Sequence, residues 1–109
     1  MKNKKNFEES VNELADLSKA IGHPARISVL LFLMENGPST CQQIVDKLPY
    51  SQSTVSGHLQ KLKEDNYIDL KLYKTSSIYS VKKETLLHLS QLVQKVFKLA
   101  PEKKQLSLF

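Results

Sequence analysis

At 109 residues, with 40% hydrophobic and 25% charged positions, the chain is sized for one domain with one modest core and is short for a monomeric enzyme with a deep pocket. A net charge of +5 and a pI near 9.3 suit a polyanionic partner such as nucleic acid, and equally a generically basic protein. The single cysteine, Cys41, excludes an internal disulfide; no apolar run approaches the roughly 20 residues of a membrane span, and no apolar signal stretch follows the basic N terminus, so a cytoplasmic location without membrane contact is expected.

In chain order, FEESVNELADLSKAI sets Phe7, Val11, Leu14, Leu17 and Ile21 at steps of three and four, which predicts an amphipathic helix stopped by Gly22. Pro24 falls in the first turn of a second helix, PARISVLLFLMEN, ended by NGP. Ile27, Val29, Leu30, Leu31, Phe32 and Leu33 make that helix apolar around most of its circumference, so it is expected at the buried centre. Ser39 or Thr40 is placed to cap a short third helix, with Gln42 or Gln43 reaching back in a capping box. Ile44 and Leu48 face inward there, and Pro49 ends the helix. Ser51 caps a fourth helix through about Glu64, with Val55, Leu59 and Leu62 inward.

The period then shortens to two. YIDLKLYK puts Ile68, Leu70 and Leu72 on one face, and SIYSV sends Tyr79 and Val81 inward, which predicts a hairpin turning near Lys74–Ser77 without the usual glycine. KETLLHLSQLVQKVFKLA makes the last helix, with Leu86, Leu89, Val93 and Val96 or Phe97 on one stripe and Pro101 at its end. The predicted fold is mainly α with a small β-hairpin (α+β), a winged helix-turn-helix in the order α-α-α-α-β-β-α.

The helix-turn-helix carries the function. Small hydroxyl and amide side chains open the fourth helix, so its N terminus can approach a duplex closely, where backbone N–H groups and the positive helix end suit a phosphate. Gln52, Ser53, Thr54 and Ser56 can bond to base edges. Downstream, Lys61, Lys63, Lys71, Lys74, Lys82 and Lys83 outnumber Glu64, Asp65 and Asp69. A winged-helix module that binds protein instead, with an incidental basic surface, is the competing reading.

LSKAIGHPARISVLLFL resembles the approach to the second helix in ArsR-type (ArsR/SmtB) regulators, and SQSTVSGHLQKLKEDNYI resembles their recognition helix, over about Leu14 to Val81. The resemblance implies a winged helix-turn-helix homodimer that binds double-stranded operator DNA, usually as a repressor released by a signal. Residues 1–100 are expected to form one DNA-binding and dimerisation domain, with 101–109 as a C-terminal tail. The DNA-facing set is then Ser51, Gln52, Ser53, Thr54, Ser56, His58 and Lys61, with Lys71 and Lys74 in the wing. The first and last helices would form the dimer interface through Phe7, Val11, Leu14, Leu89, Leu92, Val96 and Phe97, which are too apolar for a monomer's surface. Two positions depart from the family pattern: Gly57 replaces a long polar residue, and the wing tip KTSS lacks the usual glycine and arginine.

Metal sensing finds no ligand set. A thiolate pair on the third helix would fall at Thr40 and Gln42, which flank Cys41 and ligate nothing. The last helix offers Glu84 and His88 at i, i+4 and no second histidine, a spacing that reads as a solvated helix pair. His23 reads as a capping or turn residue. Cys41 is either a thiol with a pKa lowered by a helix N terminus or a small semi-buried side chain. With no Ser/His/Asp set, Gly-rich phosphate loop or paired catalytic carboxylates, no enzyme, metal or cofactor is expected.

The chain closes on QLSLF. Leu106, Leu108 and Phe109 either fold back and extend the apolar surface of the dimer, or act as anchors with Gln105 as a polar contact. In the second case QLSLF resembles the short peptides by which bacterial replication and repair proteins bind the sliding clamp.

Overall fold

The computed structural model describes residues 4–99, so the expectations for Gln105, Leu106, Leu108 and Phe109 lie outside the described residues. Its elements are α1 (Lys4–Ile21), α2 (Pro24–Asn36), α3 (Cys41–Lys47), α4 (Gln52–Glu64), β1 (Ile68–Tyr73), β2 (Ser76–Val81) and α5 (Lys83–Val96). This is the predicted α+β order of a winged helix-turn-helix.

Local chemistry fixes most helix starts. His23 caps α2, its Nδ1 accepting from the Ala25 N–H at 3.1 Å, with Pro24 as the first helical residue. At α3 the capping box belongs to Thr40 and Gln43: the Gln43 N–H donates to Thr40 Oγ1 at 3.1 Å and the Thr40 N–H donates to Gln43 Oε1 at 2.9 Å. Ser39 does something the sequence did not announce. Its backbone exchanges hydrogen bonds with Tyr79 at 2.8 and 2.9 Å, so the connection before α3 pairs with β2 and ties the wing to the helices.

Two helix ends share one device. After α4, Asn66 turns left-handed at φ 69° and the Tyr67 N–H donates to the Leu62 carbonyl at 2.8 Å. After α5, Lys98 does the same at φ 56°, with the Leu99 N–H donating to the Gln94 carbonyl at 2.8 Å. Both are Schellman closures, which satisfy carbonyls the helix end would otherwise leave unpaired. The second one stops α5 at Val96, short of the expected end at Pro101. The hairpin register runs from Ile68↔Val81 to Tyr73↔Ser76, leaving Lys74 and Thr75 as the loop. Lys74 adopts φ 57° there, a conformation that costs a side-chain-bearing residue about 1 kcal/mol.

The core gathers Val29, Leu30 and Leu33 of α2, Ile44 of α3, Val55, Leu59 and Leu62 of α4, and Tyr67 and Ile68, with Ala20 of α1 at its border. Against expectation α2 is not buried all round. It meets α4, β2 and α1, and Ile27, Leu31 and Met34 on its outer face are about half exposed. α5 packs along α1, where His88 Nε2 lies 2.7 Å from Glu13 Oε2. His88 therefore partners an acid on the neighbouring helix and not Glu84.

Candidate nucleic-acid interface

The α3–turn–α4 unit holds the first turn of α4 open to solvent. Ser51, Gln52, Ser53, Thr54 and Ser56 are all exposed, while Val55 and Leu59 plug the helix into the core. Ser51 is committed to capping: its Oγ accepts from the Thr54 N–H at 3.2 Å and donates to Thr54 Oγ1 at 2.9 Å. That bond also orients the Thr54 hydroxyl. Among the described residues, the side chains of Gln52 and Ser56 have no hydrogen-bond partner, so their polar groups are available to a ligand.

His58 departs from the expected DNA-facing set. It follows Val55 by three residues and precedes Leu62 by four, so it lies at the edge of the inward stripe and is half-buried. Its Nδ1 accepts from Arg26 Nε–H at 3.1 Å, and its ring lies 4.6 Å from that of His23. Burial first, then the charges of His23 and Arg26, push its pKa down. A neutral imidazole bound inside the protomer is a poor phosphate contact.

The lysines separate into two groups. Lys61 lies 3.9 Å from Glu64 and 3.8 Å from Asp65, and Lys82 lies 3.4 Å from Asp69, so the acids near the interface are drawn to these cations. Among the described residues Lys63, Lys71 and Lys74 form no ion pair and keep their full charge for a polyanion. Lys74 sits at the wing tip with its Nζ 5.6 Å from the centre of the Tyr73 ring, a cation–π contact that steadies it. Tyr73 and Leu72 are 65% and 77% exposed, and neither stood out in the sequence as part of the interface.

Gly57 lies on the outward face of α4, and a Cβ built on it meets nothing within 4 Å. Gly57→Ala is therefore expected to raise stability by about 0.5–1 kcal/mol, because alanine loses less backbone entropy in a helix. Thermal unfolding reads this directly, and a lowered midpoint would show that the position is not open.

The model of the arsR family of bacterial regulatory proteins matches residues 23–69, which span the start of α2 through α4 to β1. An HTH-type transcriptional regulator of Methanocaldococcus jannaschii is 30% identical over 88 residues, covering 81% of this chain and 99% of that protein. The chain belongs to the ArsR family. An ArsR-like transcriptional regulator from Rhodococcus sp. RHA1 superimposes with a TM-score of 0.74 at 17% identity, over 83% of this chain and 84% of that one. The transcriptional regulator HlyU from Vibrio vulnificus CMCP6 gives 0.70 at 25% identity, over 84% and 96%. The fold is thus that of ArsR-like regulators, and the relatives are transcriptional regulators, not enzymes.

Within this ArsR-family chain the expected dimer residues do not share one environment. Phe7, Val11 and Phe97 are exposed, at 53%, 36% and 64%, whereas Leu14, Leu89 and Val96 are half-buried. Leu92 is buried and is withdrawn from the set: it serves the packing of α5 within its own protomer and has little surface to offer a partner. Cys41 is half-buried as the first residue of α3, and burial raises its pKa, opposite to the lowering that a helix N terminus alone would give. Among the described residues no group of three or more His, Cys, Asp or Glu side chains is placed to hold a metal ion, and no helix is long and apolar enough to cross a membrane.

Proposed function

We propose that the protein is a cytoplasmic homodimeric repressor that reads double-stranded operator DNA with α4 in the major groove and the Lys71–Lys74 wing alongside. The observation that carries this reading is the exposed, partly unpartnered Gln52–Ser53–Thr54–Ser56 start of α4, with unpaired Lys63 near the other end of α4 and unpaired Lys71 and Lys74 on the hairpin. Amide and hydroxyl groups supply base-edge contacts, and the free lysines supply phosphate neutralisation. The exposed Phe7, Val11 and Phe97 on α1 and at the end of α5 supply the apolar surface of a second copy. A symmetric pair of α4 helices then meets half-sites about one helical turn apart.

The test begins by selecting bound fragments from genomic DNA and measuring affinity for the shortest bound duplex and for a random duplex. Gln52→Ala or Thr54→Ala is expected to cost about 1–3 kcal/mol on the selected duplex alone. Lys74→Ala is expected to weaken both duplexes alike and to reduce the salt slope by about one. If combining Gln52→Ala, Thr54→Ala and Ser56→Ala leaves selected-duplex affinity unchanged, α4 does not read the groove. A wild-type affinity for duplex that ignores salt would favour a protein-binding module.

A further inference from the structure

Arg26 joins three elements beside the middle of α4. Its Nε–H donates to His58 Nδ1 on α4 at 3.1 Å, and its Nη1–H donates to the Ala20 carbonyl near the end of α1 at 2.9 Å. Beside it, His23 accepts the Ala25 amide at its own Nδ1 while its ring lies 4.6 Å from that of His58. A continuous hydrogen-bonded path therefore runs from α1, an expected dimer helix, through α2 to the middle of α4. Each imidazole along it uses its Nδ1 lone pair on a protein donor.

We propose that the Arg26–His58 bond is a proton-sensitive latch that holds the recognition helix at its angle to α1, so that specific DNA binding falls when His58 takes up a proton. The proposal rests on the DNA-binding reading above. Arginine is always charged and only donates, so the bond exists only while His58 Nδ1 is bare. A proton there replaces the acceptor with a donor and sets two cations against each other. The other charged groups around the cluster give no net negative charge to hold that proton. Asp16 and Lys19 of α1 offset one another, and so do Lys61 of α4 and Asp65 after it, 3.8 Å apart. His23 is the remaining titratable neighbour, and it adds positive charge when protonated. Burial and these neighbours lower the pKa of His58, so the latch holds at neutral pH and opens below the ordinary histidine value of about 6.5.

The latch has the opposite sign to plain electrostatics. A basic protein that gains positive charge on acidification binds any duplex more tightly. Arg26 and His58 are positioning residues, acting through the placement of α4, so they affect the selected duplex and not the random one.

The experiment uses the full chain, the selected duplex and a random duplex of equal length, between pH 7.5 and 4.5, with circular dichroism confirming the fold throughout. In the wild type, the ratio of selected to random affinity is expected to fall progressively below about pH 6.5, by up to about tenfold once His58 is protonated, the weight of one hydrogen bond to a charged donor. His58→Asn places an amide oxygen where Nδ1 stood; it is expected to keep the ratio at pH 7.5 and to flatten its pH dependence. Arg26→Lys, which cannot span both acceptors, is expected to lower the ratio at every pH. A flat wild-type ratio, or a His58→Asn protein that keeps the wild-type pH profile, overturns the latch. Proton titration of the DNA-free protein by NMR separates the latch from the DNA reading: a His58 pKa at or above about 6.5, or an Arg26 Nε–H signal unchanged through that titration, overturns the latch whatever DNA does. Failure of the wild type to bind any duplex at pH 7.5 overturns the DNA reading and, with it, the operator step of the proposal.

Discussion

Phe7→Glu combined with Phe97→Glu is expected to leave a folded monomer whose affinity for the selected duplex is lower by about a hundredfold or more. Both rings stand 53% and 64% exposed, so a carboxylate is well solvated at either position and the protomer loses little core packing. α5 runs back along α1, so Asn6, Phe7 and Ser10 line one apolar notch with Lys95 and Val96, and Phe97 directly follows Val96. A second copy seated there would have to desolvate the introduced acids, which is unfavourable without partners. Without the proposed dimer, the second α4 no longer binds as an intramolecular event. Sedimentation equilibrium gives the mass, and anisotropy titration gives the affinity. A double variant that still sediments as a dimer would place the interface elsewhere on the protomer.

What the sequence disclosed depended on whether the chemistry was local. Thr40 with Gln43, Ser51, and His23 just before Pro24 start helices through bonds to residues two or three positions away, so the helix starts were legible to within a residue. The alternating run from Ile68 likewise announced the hairpin. The Ser39–Tyr79 pairing joins residues far apart in sequence and has no local signature. Periodicity also cannot say which neighbour an apolar stripe faces. Leu92 and Phe97 both fit a stripe on α5, yet one is buried within the protomer and the other is exposed. The apolar circumference of α2 misled for the same reason, since a helix packed on part of its circumference leaves Ile27, Leu31 and Met34 in water whatever their character. The motif alone turns His58 toward DNA, whereas its phase relative to Val55, Leu59 and Leu62 puts it beside the inward stripe. Arg26 carried no signal, because the groups it bridges, Ala20 and His58, come together only in the fold.

Tyr67 shows how far such a junction reaches, and its removal is expected to have the largest effect on stability. It is fully buried, the largest side chain to be so among the described residues, and directly follows the left-handed Asn66 that closes α4. Its hydroxyl donates to the Leu17 carbonyl of α1 at 2.8 Å, and its own carbonyl accepts from the Lys82 N–H at 2.9 Å. One residue thus pins the end of the recognition helix to α1 and to the start of α5. Tyr67→Ala leaves a cavity the size of an aromatic ring and is expected to cost about 3–5 kcal/mol, much of the total stability of a small domain. Tyr67→Phe keeps the ring, loses one hydrogen bond, and is expected to cost about 1 kcal/mol. Urea unfolding at neutral pH measures both. The hydroxyl adds a pH signature. Burial first and the Asp65 charge second push the Tyr67 pKa up to about 12, against about 10 in the unfolded chain. Its contribution is complete below pH 10 and is lost as pH rises towards 12, because the unfolded chain sheds the proton first. Tyr67→Phe removes that loss and is expected to flatten stability across the alkaline range. Tyr79 is also raised by burial and supplies the control. A Tyr67→Phe protein that weakens above pH 10 as steeply as the wild type would move the alkaline sensitivity to Tyr79 and leave the Tyr67 hydroxyl a neutral link to α1.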